Sequence, residues 1–259
     1  MQDQFSRTRL QWGEAAMNKL AACRVAVFGI GGVGGACVEA LARSGIGGLD
    51  LFDDDTICLT NLNRQIIALH STVGQYKVDV MQHRVLDINP ACQVEAHRLF
   101  WGPDTEDTVD FTVYDYVVDA VDTVTAKLGL ITKAQAAHVP VISAMGAGNK
   151  LNPAAFEVSD IYSTTICPLA RIMRKQLRRR GVSALKVVYS REVPMTPLDD
   201  GAESCRTGCV CPSDSPRACT VRRQIPSSNA FVPAAAGLLL ASEVVRDLSG
   251  VIDAAGETS

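Results

Sequence analysis

The feature that most constrains this chain is a glycine loop, Gly29-x-Gly31-x-x-Gly34, set between an apolar run and an amphipathic one. The run Arg24-Val-Ala-Val-Phe28 reads as a short buried strand, and the pattern after the glycines reads as a helix through Arg43. Glycines at this spacing allow a tight turn and close backbone approach, and the helix N-terminus behind them offers unpaired N–H groups to a phosphate. Asp53 stands at the end of the next strand, about 20 residues on, where a carboxylate can accept hydrogen bonds from ribose hydroxyls. Strand, glycine loop, helix and Asp53 together point to a bound nucleotide over a turn without a ligand.

The rest of the chain fits one way of building around that loop. Residues Gly13–Ala22 carry apolar positions at helical spacing, Leu49–Phe52 is a second strand, and Tyr76–Ile88 is a helix that stops before Asn89-Pro90. Tyr116–Asp119 and Val139–Ser143 read as strands around a helix, Val124–His138. Strands alternating with helices imply crossover connections and a mostly parallel sheet. The fold expected is α/β, a Rossmann-like, mostly parallel sheet flanked by helices. After about residue 155 the rhythm changes to a helix over Thr165–Arg180, a β-rich stretch over Leu185–Val193, a Pro/Gly/Cys/Ser-rich loop over 194–228 and an apolar helix over 231–248. We read residues 1–259 as a single domain, with a core over about 13–155 and a C-terminal extension, about 156–259, packed on it.

Composition narrows the partners. Hydrophobic residues at 47% supply a sizeable core, and a net charge of −3 requires any nucleic-acid contact to rest on a local basic patch. The N-terminal MQDQFSRTRLQW lacks an export signal, and Ala230–Ala241, the longest apolar run, is broken by Pro233 and falls short of a membrane span of roughly 20 residues. A cytoplasmic protein without membrane contact is expected, so its nine cysteines should be thiols or metal ligands. Cys23, Cys37, Cys58, Cys92 and Cys167 lie in apolar segments and read as small buried hydrophobes.

A dinucleotide-binding dehydrogenase is the first reading of the glycine loop, and the residues that follow argue against it. Beyond Asp53 and Asp55 come Asn61, Arg64, Gln65 and Lys77, then Asp119-Ala-Val-Asp122. Arg64 and Lys77 can neutralise phosphate charge, Asn61 can hold a phosphate or ribose oxygen, and Asp122 at a strand end can hold Mg²⁺. A nucleoside triphosphate needs such a set; a nicotinamide cofactor does not.

With these residues the chain resembles the ThiF/MoeB adenylating enzymes, relatives of the ubiquitin-activating enzymes. The resemblance rests on Gly29-x-Gly31-Gly32-x-Gly34, Asp53-x-Asp55, Asn61-Leu-x-Arg64-Gln65, Gly74-x-x-Lys77 and Asp119-x-x-Asp122, over about the first 150 residues. Arg7 looks like the family's N-terminal arginine, which reaches the ATP phosphates of the neighbouring subunit. The resemblance implies a homodimer with Mg-ATP at the carboxyl ends of the strands. It gives Asp122 the metal, and gives Asn61, Arg64, Lys77 and Arg7 the triphosphate. A substrate carboxylate then attacks the α-phosphate and yields an acyl-AMP.

The second half looks like the branch of tRNA threonylcarbamoyladenosine dehydratases, through Asp160-Ile-Tyr162, Pro168-Leu-Ala-Arg171, Lys186-Val-Val-Tyr189 and Phe231-Val-Pro233. That branch activates the threonyl carboxylate of a modified adenosine beside the anticodon, and the substrate's own carbamoyl group closes the ring. Independent support comes from the helix after Pro168, where Arg171, Arg174, Lys175, Arg178, Arg179 and Arg180 bring six cations and no acid. Arg171, Arg174, Lys175 and Arg178 recur at three- and four-residue spacing and are candidate tRNA contacts.

Cys205, Cys209, Cys211 and Cys219 could close a structural Zn²⁺ site, although their spacing is not the usual pair of C-x2-C motifs. Reduced surface thiols, or one cysteine carrying a persulfide or thioester, are the alternatives. The competing function is adenylation of a ubiquitin-like sulfur-carrier protein, with a sulfur-delivery partner. A scaffold that holds nucleotide without turning it over is a third reading, and the set Asn61, Arg64, Lys77 and Asp122 argues against it.

Overall fold

The computed structural model describes residues 2–198 and 226–251. Seven strands form one sheet: β1 (Arg24–Phe28), β2 (Gly48–Phe52), β3 (Gln93–His97), β4 (Tyr116–Asp119), β5 (Val141–Ala144), β6 (Phe156–Asp160) and β7 (Lys186–Ser190). Their order is β3-β2-β1-β4-β5-β7-β6, and every pairing is parallel except β6 against β7. The mostly parallel α/β sheet expected is therefore present. The C-terminal strands extend the same sheet.

The helices are α1 (Ser6–Trp12), α2 (Glu14–Ala22), α3 (Gly32–Arg43), α4 (Lys77–Ile88), α5 (Val124–Ala136), α6 (Pro168–Arg179) and α7 (Val232–Ser249). One core joins α3, α4 and α7 to the sheet through residues such as Leu41, Leu51, Val78, Leu240 and Val244. Gly237 lets α7 lie directly on α3, since a Cβ there would come within 2.2 Å of the Val33 carbonyl. A second cluster packs α6 through Ala170, Met173 and Leu177. A third, aromatic cluster of Phe28, Phe52, Trp101 and Phe111 backs the strand ends.

Strand order places the site. From β1 the chain runs outward through β2 and β3, then returns to β4 on the other side of β1, so the order reverses between β1 and β4. Ligands of open α/β sheets bind at such a reversal, beyond the carboxyl ends of the strands. Register aligns those ends, with Phe52 beside Phe28 and Phe28 beside Asp119.

Four elements differ from the sequence expectation. β3 and β6 alternate only two apolar residues with polar ones at the two sheet edges, a weak period-2 signal. α1 buries no residue and so has no apolar stripe to read. The helix expected from Thr165 begins at Pro168, because Ile166 has a φ of 59° and Cys167 is extended; Pro168 then takes the first helical turn, where its missing N–H costs nothing.

Candidate functional site

A cavity of about 620 Å³ opens at the strand ends. Its β1 side is the glycine loop. Gly29 turns with a φ of 89°, donating its N–H to the Phe52 carbonyl, and Gly34 fits because a Cβ there would lie 1.8 Å from the Gly29 oxygen. Gly31 precedes α3, and no side chain caps that helix, so its first N–H groups are available to an anion. Gly31, Gly32, Asp53, Asp55, Asn61, Arg64, Gln65, Lys77 and Asp122 all line the cavity, so the sequence-selected residues converge in space.

Each is positioned by a short-range device. Asp53 accepts from the Ile30 N–H at 2.7 Å and from the Asp55 N–H at 2.9 Å, which ties the end of β2 to the glycine loop. Lys77, the first residue of α4, is buried and reaches Asp55 at 2.7 Å and Asp53 at 3.8 Å. Burial works against its ammonium, but Asp53 and Asp55, with Asp122 further off, outweigh that and lift its pKa above the ordinary lysine value. Asn61 ends a short 3-10 turn and accepts from the Cys58 N–H at 3.0 Å, which leaves its NH₂ group as the donor end. Arg64 donates to the Thr60 carbonyl and to Asn63, both at 2.9 Å. Gln65 is buried with its Oε1 unpartnered among the described residues.

Asp122 follows β4 and is exposed to the cavity. Its loop is anchored below by Asp119, fully buried, which pairs with Lys127 at 3.1 Å and accepts from Ser143 at 2.6 Å and the Val121 N–H at 3.2 Å. Lys127 also donates to the Ala144 carbonyl at 2.6 Å and thereby ties α5 to both β4 and β5. The sequence reading passed over Lys127, yet it lies five residues past Asp122 on the first turn of a helix, within reach of the strand below.

The β5 side of the cavity carries residues that the sequence did not assign to the site. Met145, Gly146, Lys150, Cys167 and Pro168 line it, along with Pro194, Pro226 and Ser227. Asn149, with a φ of 61°, holds this wall together. It receives the Ser227 N–H on Oδ1 at 2.7 Å, donates its own N–H to the Ser227 carbonyl, and receives the Met195 N–H on its carbonyl. Lys150 is buried and donates to the Ser190 and Glu192 carbonyls. Burial pulls its pKa below the ordinary lysine value, against opposing pulls from Cys167 and Glu192. Cys167 is buried, as its apolar neighbours suggested, but it also faces this wall.

Residues 5–258 match the ThiF family. This chain belongs to the ThiF family. Among similar proteins, the tRNA threonylcarbamoyladenosine dehydratase of Bacillus subtilis is 41% identical over 250 residues, spanning 96% of this chain and 95% of that one. The Escherichia coli enzyme TcdA in complex with AMP superposes with a TM-score of 0.81 at 31% identity, covering 95% of this chain and 94% of that one. The same enzyme in complex with ATP gives 0.79 at 31% identity, with coverage of 98% and 96%.

Two expected residue groups of this ThiF chain lie away from the glycine loop. Arg7 is exposed on α1 and does not line the cavity of its own chain. On α6, Arg171, Lys175 and Arg178 are exposed, and Arg178 stacks over the Tyr162 ring at 5.1 Å. Arg174 departs from the expected common face: it is half-buried and donates to the Thr164 carbonyl at 2.7 Å and to the Thr164 hydroxyl. Its position, one residue after the buried Met173, turns it toward the protein, so it secures the segment before α6. None of the six cations over 171–180 forms an ion pair among the described residues. Cys205, Cys209, Cys211 and Cys219, the candidate Zn²⁺ ligands, lie outside the described residues. Among the described residues, Asp53, Asp54 and Asp55 are the one acidic cluster close enough to share a cation, and Asp122 is not part of it. Among the described residues, no helix is long and apolar enough to cross a membrane.

Proposed function

We propose that this chain uses ATP to activate the threonyl carboxylate of N6-threonylcarbamoyladenosine in tRNA as an acyl-adenylate, after which the substrate cyclises with net loss of water. The observation that carries the reading is a juxtaposition. A cavity fit for a triphosphate lies against the N-terminus of α6, a helix whose five cations, with Arg180 at its C-cap, form no ion pair with a described residue. In a chain of net charge −3, the exposed Arg171, Lys175, Arg178 and Arg179 give a polyanion the local basic surface it needs. The near full-length likeness to dehydratases of this substrate supports the same assignment over a sulfur-carrier activator.

ATP fits the residues present. The uncapped N-terminus of α3 and the glycine loop receive phosphate oxygens, and Asp53 retains lone pairs for the ribose. The Asn61 NH₂ group, Arg64 and Lys77 compensate charge as the α-phosphate is attacked, with Gln65 at the floor. Asp122 suits Mg²⁺, which commonly takes one or two carboxylates and completes its shell with water and substrate phosphates; when bound it would neutralise phosphate charge.

In-line attack of the carboxylate on the α-phosphate breaks its bond to the β-phosphate, giving the acyl-AMP and releasing pyrophosphate. The neighbouring carbamoyl group of the same substrate then attacks the acyl carbon and releases AMP, a step that proximity accelerates without an enzyme thiol. Arg7, outside its own cavity, would serve the site of a second copy in a homodimer. A reaction joining ATP and tRNA belongs in the cytoplasm. ATP consumption measured with modified tRNA, unmodified tRNA and a carrier protein ending in Gly-Gly tests the reading. Stimulation by modified tRNA alone supports it; stimulation by the carrier alone overturns it.

A further inference from the structure

Lys150 is a buried cation, 2% exposed, with no ion-pair partner among the described residues. It donates to two backbone carbonyls, Ser190 at 3.5 Å and Glu192 at 3.2 Å, so one of its three N–H groups is unused by them. The Glu192 carboxylate is committed elsewhere, accepting from the Leu151 and Asn152 N–H groups at 2.9 Å each. Taking an ammonium out of water is costly unless an anion compensates it, and an apolar side chain would fill the same volume without that cost.

The position of Lys150 says which anion. The glycine loop follows β1, and the segment carrying Lys150 follows β5, two strands along the sheet; the ends of those strands lie roughly 10 Å apart. Gly146, also after β5, lines the same cavity, and a Cβ there would make ordinary contact with Cys167 and Leu169 at 3.9 Å. On the nucleotide side the carboxylates Asp53, Asp54, Asp55 and Asp122 outnumber the cations Arg64 and Lys77, and Asp53 and Asp55 are already paired with Lys77. That side therefore disfavours an incoming carboxylate; Lys150 attracts one. An acyl substrate must bring its carboxylate into this cavity before the α-phosphate can be reached.

We infer that Lys150 forms a carboxylate-binding subsite on the β5 side of the cavity, receiving the free carboxylate of the acyl substrate and presenting it to the nucleotide. This rests on the tRNA reading above. The subsite discriminates a free acid from its ester or amide. It also releases its hold once the acyl-adenylate forms, because the oxygen bonded to phosphorus has lost its charge.

The test uses the full-length protein, a non-hydrolysable ATP analogue, and two probes: the free nucleoside N6-threonylcarbamoyladenosine and its threonyl methyl ester. Calorimetric titration of the wild type should favour the free acid by about tenfold or more, as expected for a desolvated charge pair. Lys150→Met should bring the two probes to near-equal affinity without changing that for the ATP analogue. Lys150→Gln, which keeps N–H donors for the Ser190 and Glu192 carbonyls, should do the same and serves if the Met variant folds poorly. A variant that retains the wild-type preference overturns the subsite and leaves the tRNA reading standing. Equal affinities in the wild type also overturn it. Binding of neither probe by the wild type also overturns the subsite, while the tRNA reading stands or falls by the ATP-consumption assay above.

Discussion

The two sides of the cavity are built on opposite electrostatic plans. On the β1 and β4 side, buried cations are matched: Lys77 lies against Asp53 and Asp55, and Lys127 against Asp119, with Ser143 and a carbonyl completing its shell. On the β5 side, the described hydrogen-bond partners of Lys150 are carbonyls, and α6 presents arginines and a lysine without acidic partners among the described residues. Matched charge holds loops in place before any ligand arrives. Unmatched charge is costly in the free protein and becomes favourable when an anion binds. On the proposed reading, the nucleotide side is thus pre-assembled, and the substrate side is completed by its ligand.

The largest effect should come from the matched side. Asp122→Ala should abolish ATP-dependent turnover with little loss of stability, since Asp122 is exposed and contributes no core packing. Mixing it with Arg7→Ala subunits should recover part of the activity, because a hybrid dimer would hold one site with both groups intact. Steady-state turnover of the separate and mixed proteins checks this, and mixed dimers that stay inactive would remove Arg7 from the partner's site.

Next in size is a stability effect. Lys127→Met should destabilise the fold by about 3–5 kcal/mol, because it strands the buried Asp119 carboxylate. At this chain length that corresponds to a fall in Tm of roughly 10 °C. Lys150→Met should lower Tm far less, and a comparable loss in both variants would erase the distinction between the two sides.

The smallest expected change concerns α6. Reversing Arg171, Lys175 and Arg178 to Glu should weaken tRNA binding by about tenfold or more while ATP binding is unchanged, and should flatten the salt dependence. Filter binding at two salt concentrations reads both. Arg174→Ala should instead act on stability, through its bonds to Thr164. Wild-type tRNA affinity in the triple variant would take the helix out of the tRNA contact.

Legibility from sequence followed the same division. The nucleotide side could be read because its chemistry is local: glycines at a strand end, an acid at the next, a lysine opening a helix. Strands β1, β2, β4 and β5 and the helices around them were visible through their near-continuous apolar runs, as buried parallel strands should be. The substrate side is assembled from segments far apart in the chain. Asn149 meets Ser227 and Met195, and Lys150 meets Ser190 and Glu192. No spacing rule announces such contacts, so Lys150 looked like one lysine among many. The edge strands β3 and β6 and the exposed helix α1 were missed because little of their surface is apolar and buried. Arg174 was grouped with its neighbours because helical spacing alone does not show that it turns inward.

The central claim is that this cavity activates a carboxylate carried by tRNA. Mass spectrometry of nucleosides from tRNA incubated with the protein and Mg-ATP tests it most directly. The account predicts that N6-threonylcarbamoyladenosine loses the mass of one water, only when ATP is present, and that Asp122→Ala leaves it unchanged. An unaltered nucleoside, with AMP found instead on the C-terminus of a carrier protein ending in Gly-Gly, would contradict it.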